Sequence, residues 1–157
     1  MTVEATLQAA GVQLVLGVEG YQFPQEVTGW DANWLVCDVE LDVADQLDVQ
    51  DHATFHAHHR PTILTFELER LTSQLRALID GAAGPATLEH EEEQIGLTIT
   101  LQAGNGTVEG FLTEQTAGRL SFKAAEIDRS PLRETLAQLE AIVDGFPARG
   151  RLKEPAI

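Results

Sequence analysis

The chain has 157 residues, 43% of them hydrophobic, and its 25 acidic and 10 basic side chains give a net charge of −15. This length fits one domain that buries a core without disulfides, and the single cysteine, Cys37, has no partner for an internal one. So acidic a surface repels nucleic-acid phosphates and anionic lipids, which excludes both as expected partners. Attraction of a basic protein or simple solubility are the explanations that remain.

Charge is distributed unevenly along the chain. Residues 147–157 contain three basic side chains and one acidic side chain, so we expect an acidic α+β domain over residues 1–146 and a short basic tail. The N-terminus lacks the basic start and apolar run of a secretory signal, and no stretch approaches the ~20 apolar residues of a membrane helix. Together with the lone cysteine, these features predict a cytoplasmic protein.

Alternation of apolar and polar residues predicts strands in the first third of the chain. Two runs have the period of two that is typical of sheets with one solvated face. Their apolar faces consist of Val12, Leu14, Leu16 and Val18, and of Leu35, Cys37, Val39, Leu41 and Val43, the latter with Asp38, Glu40 and Asp42 opposite. A third run over residues 49–57 is expected to turn Val49, Ala53, Phe55 and Ala57 inward and His52, Thr54, His56 and His58 outward.

The period then changes to that of an amphipathic helix. Leucines spaced by three and four predict a helix that begins near Pro61-Thr62 and ends at Gly81, with a stripe of Leu64, Leu68, Leu71, Leu75 and Leu78. A weak strand at residues 87–89 and a three-stranded antiparallel meander follow. We place the turns of the meander at Asn105-Gly106, as type I′, and around Ala117-Gly118.

A second helix is predicted to open with Ser130 as cap and Pro131 at its first position, and to stop at Gly145. Its apolar stripe is Leu132, Leu136, Leu139 and Val143. Strands that cluster before and after one helix favour an α+β fold. We expect a curved, mainly antiparallel sheet of six to eight strands with both amphipathic helices packed on it.

Four histidines within eight residues raise the possibility of a metal site. His56 and His58 share a strand face, about 7 Å apart, and with His52 and a neighbouring carboxylate they form a candidate set of ligands. The competing interpretation is a solvated, histidine-rich strand face without function. No other sequence feature predicts a cofactor.

Two further segments have competing interpretations. The cluster Glu89-His90-Glu91-Glu92-Glu93 is either a solvated turn that protects a strand end or a contact for a basic partner. The aromatics of Trp30-Asp31-Ala32-Asn33-Trp34 either plug the end of a core, with short polar side chains tying down backbone donors, or make Trp30 a binding hot spot. Cys37 is expected to be buried, and no nucleophile or phosphate-binding motif is present, so an enzyme is not expected.

Three strings of residues resemble the WapI-type immunity protein family. They are Tyr21-x-Phe23-Pro24, Asp31-Ala32-Asn33-Trp34-Leu35, and Pro61-Thr62-Ile63-Leu64-Thr65-Phe66-Glu67-Leu68-Glu69-Arg70-Leu71, within an element order similar over residues 11–145. The resemblance implies a non-enzymatic antitoxin that binds and neutralises the C-terminal domain of a bacterial polymorphic toxin. The named example of the family protects against a toxin that cleaves tRNA. The histidine run before Pro61 departs from the family pattern.

Combined with the charge, the resemblance favours an acidic surface that occupies the basic face of a toxin domain, possibly a nuclease. The expected partner-binding residues are Trp30, Asp38, Glu40, Glu89, Glu91 and Glu92. The alternatives are a metal-binding protein that uses the histidines and a structural or adaptor domain that associates through a sheet edge.

Overall fold

A computed structural model describes residues 2–44, 54–102 and 105–150. Within these ranges the chain forms nine strands, two α-helices and a short 3-10 turn at Asp31–Asn33. In chain order they are β1 (Val3–Ala9), β2 (Val12–Tyr21), β3 (Trp34–Ala44), β4 (Thr54–His59), β5 (Thr62–Leu64), α1 (Thr65–Ile79), β6 (Ala86–Glu89), β7 (Ile95–Gln102), β8 (Asn105–Glu114), β9 (Gly118–Ile127) and α2 (Arg129–Gly145).

The strands form two antiparallel sheets. The first has the order β1-β2-β3-β4, with β5 also paired to β3, and the second has the order β6-β7-β8-β9. The predicted α+β class, the antiparallel pairing and the meander of β7, β8 and β9 are confirmed. The nine strands divide between two sheets, whereas we expected one sheet of six to eight. Alternation shows which face of a strand is apolar, but it does not show which strands share hydrogen bonds.

Both sheets turn their apolar faces into one core. Every inward residue predicted on β2 and β3 is buried except Val43, which is half-buried at the end of its strand. The core also contains the inward residues of the second sheet and the buried leucines of both helices. A small internal space of about 20 Å³ is bounded by both sheets and both helices, which shows that the four surfaces meet.

Each helix covers the free edge of a sheet. On β1, the backbone N–H of Thr6 donates to Oε1 of Gln138 at 2.7 Å, and the Thr6 carbonyl accepts from Oγ1 of Thr135 at 2.7 Å. On β6, the N–H of Thr87 donates to Oε1 of Gln74 at 2.9 Å. Because an open edge is a template for pairing with another chain, side chains of α2 and α1 protect these two edges.

The first helix begins later than the Pro61-Thr62 start that we predicted. Residues of β5 first pair with residues 34–36 of β3, and the helix starts only at Thr65. Oε1 of Glu67 accepts the N–H of Leu64 at 2.9 Å and so satisfies a donor at the helix N-terminus. The backbone of β3 needs a partner there, and this requirement overrides the proline signal. The rest of the predicted stripe is buried on the helix, at Leu68, Leu71, Leu75 and Leu78.

The second helix begins at Arg129 with Asp128 as its N-cap, so the prediction of Ser130 as the cap was wrong. The buried stripe is Leu132, Thr135, Leu139 and Ile142, and the predicted Leu136 and Val143 are half-buried at its margin. At Thr135 and Ile142 the helix therefore faces the core with residues one position earlier in sequence than those we predicted. Thr135 lies on the buried side because it bonds the edge of β1.

One of the two predicted turns is displaced. Gln102 pairs with Asn105, so Asn105 and Gly106 belong to β8, and the turn itself lies outside the described residues. The second turn, before Gly118, is confirmed, and Gly118 has a φ of +106° that glycine adopts without strain. There the carboxylate of Glu114 accepts hydrogen bonds from the Thr116 hydroxyl and from the backbone N–H groups of Ala117 and Thr116, and these bonds hold the pKa of Glu114 below its usual range.

The predicted third strand corresponds to β4. Phe55 and Ala57 pair with Val43 and Leu41, which puts them on the predicted face. Phe55 is nevertheless 54% exposed, so its expected burial was wrong, because it lies near the end of a strand that has β3 on one side only. The predictions for Val49, His52 and Ala53 lie outside the described residues. No helix in the described part of the chain is long and apolar enough to span a membrane.

Replacement of Thr135 by valine keeps the shape of the side chain and removes the donor to the Thr6 carbonyl. We expect a loss of roughly 1–3 kcal/mol in the free energy of unfolding, because a partly buried carbonyl is left without its partner. Urea denaturation measures the loss. Ser73→Ala on the exposed face of α1 is the control, and equal stability of the two variants would contradict the role given to Thr135.

Candidate functional site

The loop of residues 22–30, which we call the aromatic loop, joins β2 to β3. Three of its large apolar side chains are exposed, with Phe23 at 41%, Val27 at 67% and Trp30 at 44%. Trp30 also packs edge-on against Phe66 in the first turn of α1, at 5.1 Å between ring centroids. Trp30 is therefore anchored on one side and open to solvent on the other, rather than fully buried as a core plug.

The amide of Asn33 is buried next to this loop and forms four hydrogen bonds. Its Oδ1 accepts from Oγ1 of Thr65 and from the backbone N–H of Arg149, each at 2.8 Å. Its Nδ2 donates to the carbonyls of Gly29 at 2.8 Å and Arg149 at 3.0 Å. The short polar side chain thus ties the aromatic loop, the start of α1 and the C-terminal segment together, and all of its bonding capacity is used.

Arg149 completes this connection from the C-terminal side. Its Nη1 donates to the carbonyls of Pro24 at 3.0 Å and Glu26 at 3.1 Å, and its Cζ lies 3.4 Å from the ring centroid of Tyr21. The hydroxyl of Tyr21 donates to the carbonyl of Pro147 at 2.6 Å. The first residues of the predicted tail therefore pack against the aromatic loop and hold it.

A second surface, the acidic face, covers the outer side of the first sheet. Cross-strand pairing aligns Gln13, Asp42 and His56 in one row and Val15, Glu40 and His58 in the next. Asp38 precedes these rows on β3, Glu4 lies on β1 and Glu19 lies on β2. The acidic face consists of the carboxylates Glu4, Glu19, Asp38, Glu40 and Asp42, with the basic side chains His56, His58 and Arg60 beside them.

The histidines of β4 pair with different carboxylates. His56 Nδ1 lies 2.6 Å from Oδ1 of Asp42, and His58 Nε2 lies 2.6 Å from Oδ1 of Asp38. Within the described residues, no group of three or more His, Cys, Asp or Glu side chains is placed to hold a metal ion. Because His52 lies outside those residues, the metal set of His52, His56 and His58 stays a prediction.

The acidic cluster begins at Glu89, the last residue of β6, and continues as the turn that leads to β7, so its predicted place at a strand end is confirmed. The buried side chain of Glu67, which is 6% exposed, holds this turn in place. Its Oε2 accepts the N–H of Glu91 at 2.9 Å. His90 is buried in the turn with Nδ1 at 3.3 and 3.4 Å from the two Glu67 oxygens. Exposed carboxylates Glu89, Glu91 and Glu92 project around this buried pair.

A cleft of about 860 Å³ lies between this turn and the outer side of the second sheet. The ring of Phe111 fills the space above Gly96, where an added Cβ would approach it to 2.3 Å. Cζ of Arg119 stacks 4.0 Å from the centroid of the same ring. The cleft combines Arg70, Arg119 and Lys123 with the carboxylates Glu89, Glu91, Glu93 and Glu109, so its charge is mixed, unlike that of the acidic face.

The six predicted partner-binding residues thus occupy three regions. Asp38 and Glu40 share the acidic face, Trp30 lies on the aromatic loop, and Glu89, Glu91 and Glu92 surround the turn of the second sheet. Sequence reasoning missed Glu67 and Arg149. The position of Glu67 three residues after Leu64 fits a helix cap, but nothing in the sequence indicates that Arg149 returns to the loop.

Cys37 is the one cysteine and is fully buried on the inner side of β3. Burial raises the pKa of its thiol from 9.0 to about 12. The buried position predicted for it is confirmed, and a thiol that stays protonated at neutral pH is a poor nucleophile.

The raised pKa of Cys37 predicts a loss of stability at high pH. The unfolded thiol ionises near pH 9 and the folded thiol near 12, so its contribution is complete below pH 9 and disappears as the pH rises towards 12. We expect Cys37→Ala to show a weaker fall in unfolding free energy above pH 9 than the unmodified protein, measured by denaturation across that range. Identical slopes would contradict this assignment.

Loss of the Asn33 amide tests the connection between loop and C-terminus. Asn33→Ala leaves the buried Thr65 hydroxyl and the backbone of Arg149 without partners, so we expect roughly 1–3 kcal/mol of destabilisation in chemical denaturation. Gln25→Ala, an exposed amide on the same loop, is the control. A value for Asn33→Ala no larger than that of the control would show that the four bonds contribute little.

Comparison with known proteins identifies a family for the chain. Neither the curated proteins nor the solved structures gave a match. A family model described as the immunity protein WapI-like family matches residues 6–147 of the 157, which include all of the described strands except the start of β1. Immunity proteins of this kind are generally non-catalytic and act on a protein partner. The chain belongs to the WapI-like immunity protein family.

Proposed function

We propose that this chain binds a toxin domain in the cytoplasm and neutralises it without catalysis, and that the acidic face is the main contact surface. Family membership supports the toxin-neutralising role. The acidic face supports the mode of binding, because it concentrates carboxylates on one side of a rigid sheet. The toxin domain is inferred to be basic and to be a nuclease.

The charge of the acidic face is only partly compensated within the chain. Arg60 pairs with Glu19, and the two histidines contact Asp38 and Asp42. Glu4 and Glu40 have no ion-pair partner among the described residues. The face therefore keeps negative charge that is available to an incoming cation.

A nuclease must hold phosphates on a basic surface, and a sheet of carboxylates resembles such a substrate in charge. Occupation of that surface blocks the substrate both sterically and electrostatically. Complementary charge also speeds encounter, so the complex should form faster at low salt than at high salt. These two properties suit a protein that must intercept a toxin before it acts.

Charge reversal on the acidic face tests this proposal. The double variant Glu4→Lys with Glu40→Lys changes two exposed carboxylates that support no hydrogen bond within the described structure. We expect its association rate with the cognate toxin domain to fall roughly tenfold at low salt, and the salt dependence of that rate to weaken. Stopped-flow or surface-based kinetics measure both quantities.

The matched control is Glu134→Lys with Asp144→Lys, which changes the net charge by the same amount on the exposed side of α2. A third variant, Glu91→Lys with Glu92→Lys, tests the acidic turn of the second sheet. Equal effects of all three pairs on the association rate would show that only the net charge of the chain matters, and that the acidic face is not a specific contact surface. Absence of binding by the unmodified chain, with no protection on co-expression, would remove the toxin-neutralising proposal.

A further inference from the structure

Exposed large hydrophobic side chains are concentrated on the aromatic loop. In the described part of the chain four such side chains exist, and three of them, Phe23, Val27 and Trp30, lie within residues 22–30. The fourth, Phe55, lies on β4. In a protein of net charge −15 this cluster is a local exception, and clustered exposed apolar groups mark interaction surfaces more often than scattered ones do.

The loop that presents these side chains is held by hydrogen bonds at both ends and near its middle. At its start the N–H of Gln22 donates to the carbonyl of Trp34 at 2.8 Å, and at its end the N–H of Asn33 donates to the carbonyl of Trp30 at 2.9 Å. Between them, Arg149 binds the carbonyls of Pro24 and Glu26. These bonds hold the backbone on either side of Phe23 and at Trp30, which lowers the ordering entropy that these two residues lose on binding.

The surroundings of the loop define the chemistry of its partner. Glu26 and Asp31 are exposed beside the apolar side chains. Among the described residues beside the loop, these two carboxylates outnumber the single positive charge of Arg149, whose Nη1 is bound to two carbonyls and whose Cζ lies over the ring of Tyr21. A surface that is apolar in its centre and anionic at its margin fits an apolar pocket bordered by lysine or arginine side chains.

We infer that the aromatic loop is a second docking element, with Trp30 and Phe23 inserting into an apolar pocket of the basic toxin domain and Arg149 acting as a positioning residue. The inference rests on the proposed function. Both contact surfaces originate on β3, since the loop leads into its first residue and the carboxylates Asp38, Glu40 and Asp42 follow along its outer side. One toxin domain can therefore contact an apolar anchor and an anionic sheet together.

Truncation of the anchor is the direct test. We expect Trp30→Ala to raise the Kd for the toxin domain by about 30-fold, the size of a hot-spot truncation, and to do so mainly through faster dissociation. Phe23→Ala should act in the same direction. Phe55→Ala, which removes the one exposed large aromatic side chain outside the loop among the described residues, is the matched control and should change the Kd by less than about threefold.

The positioning role of Arg149 must be distinguished from a general loss of stability, so its test needs a measurement that a general loss of stability would not change. We expect Arg149→Ala to raise amide hydrogen exchange in residues 25–30 of the free protein and to weaken toxin binding. Combined with Trp30→Ala, its effect on the Kd should be less than multiplicative, whereas combined with Glu40→Lys the effects should multiply. Arg133→Ala on α2 is the control for loss of an exposed arginine.

The outcomes separate this inference from the proposed function. If the unmodified chain binds the toxin domain and Trp30→Ala and Phe23→Ala bind as tightly as it does, the aromatic loop is not a docking element and the toxin-neutralising role stands. If Arg149→Ala and Trp30→Ala combine multiplicatively, Arg149 does not position the loop. If the unmodified chain does not bind at all, the proposed function itself fails.

Discussion

One-sided burial of β3 determines where the two proposed contact surfaces of this protein lie. Leu35, Cys37, Val39 and Leu41 are fully buried, so the alternating residues between them must face outward. A slip of one residue would place three carboxylates in the core, at a cost far greater than that of any surface interaction. The core therefore fixes the register of β3, and the register aligns its carboxylates with the histidines of β4.

The aromatic loop and the C-terminal segment are brought together at the beginning of the same strand. Asn33, next to the first residue of β3, bonds the backbone of Arg149, and Arg149 in turn bonds the aromatic loop. Burial of an amide is tolerated here because every donor and acceptor of Asn33 is paired. The result is an apolar loop at one end of β3 and a row of carboxylates along its length, and the proposed contact with a single partner depends on this arrangement.

Much of the fold follows from patterns that act over a few residues. The alternation in β2 and β3 and the leucine spacing in α1 predicted the buried faces correctly, because these depend on local geometry. The start of α1 was misplaced since β5 is formed by pairing with β3, a contact between residues far apart in sequence. For the same reason the pattern did not reveal two sheets, or helices that cover sheet edges through Gln74 and Gln138. On the functional side, the outward carboxylates Asp38 and Glu40 were identifiable from alternation, whereas the Arg149 contact depends on the complete fold.

Zero-length cross-linking between carboxyl and amine groups in the complex with the toxin domain tests the central claim most directly, because it identifies which anions of this chain meet cations of the partner. The account predicts that mass spectrometry will find cross-links from lysines of the toxin mainly to Asp38, Glu40 and Asp42, with few from α2. Cross-links concentrated instead on Glu134, Glu140 and Asp144 of α2 would show that a different surface binds the toxin and would contradict the account.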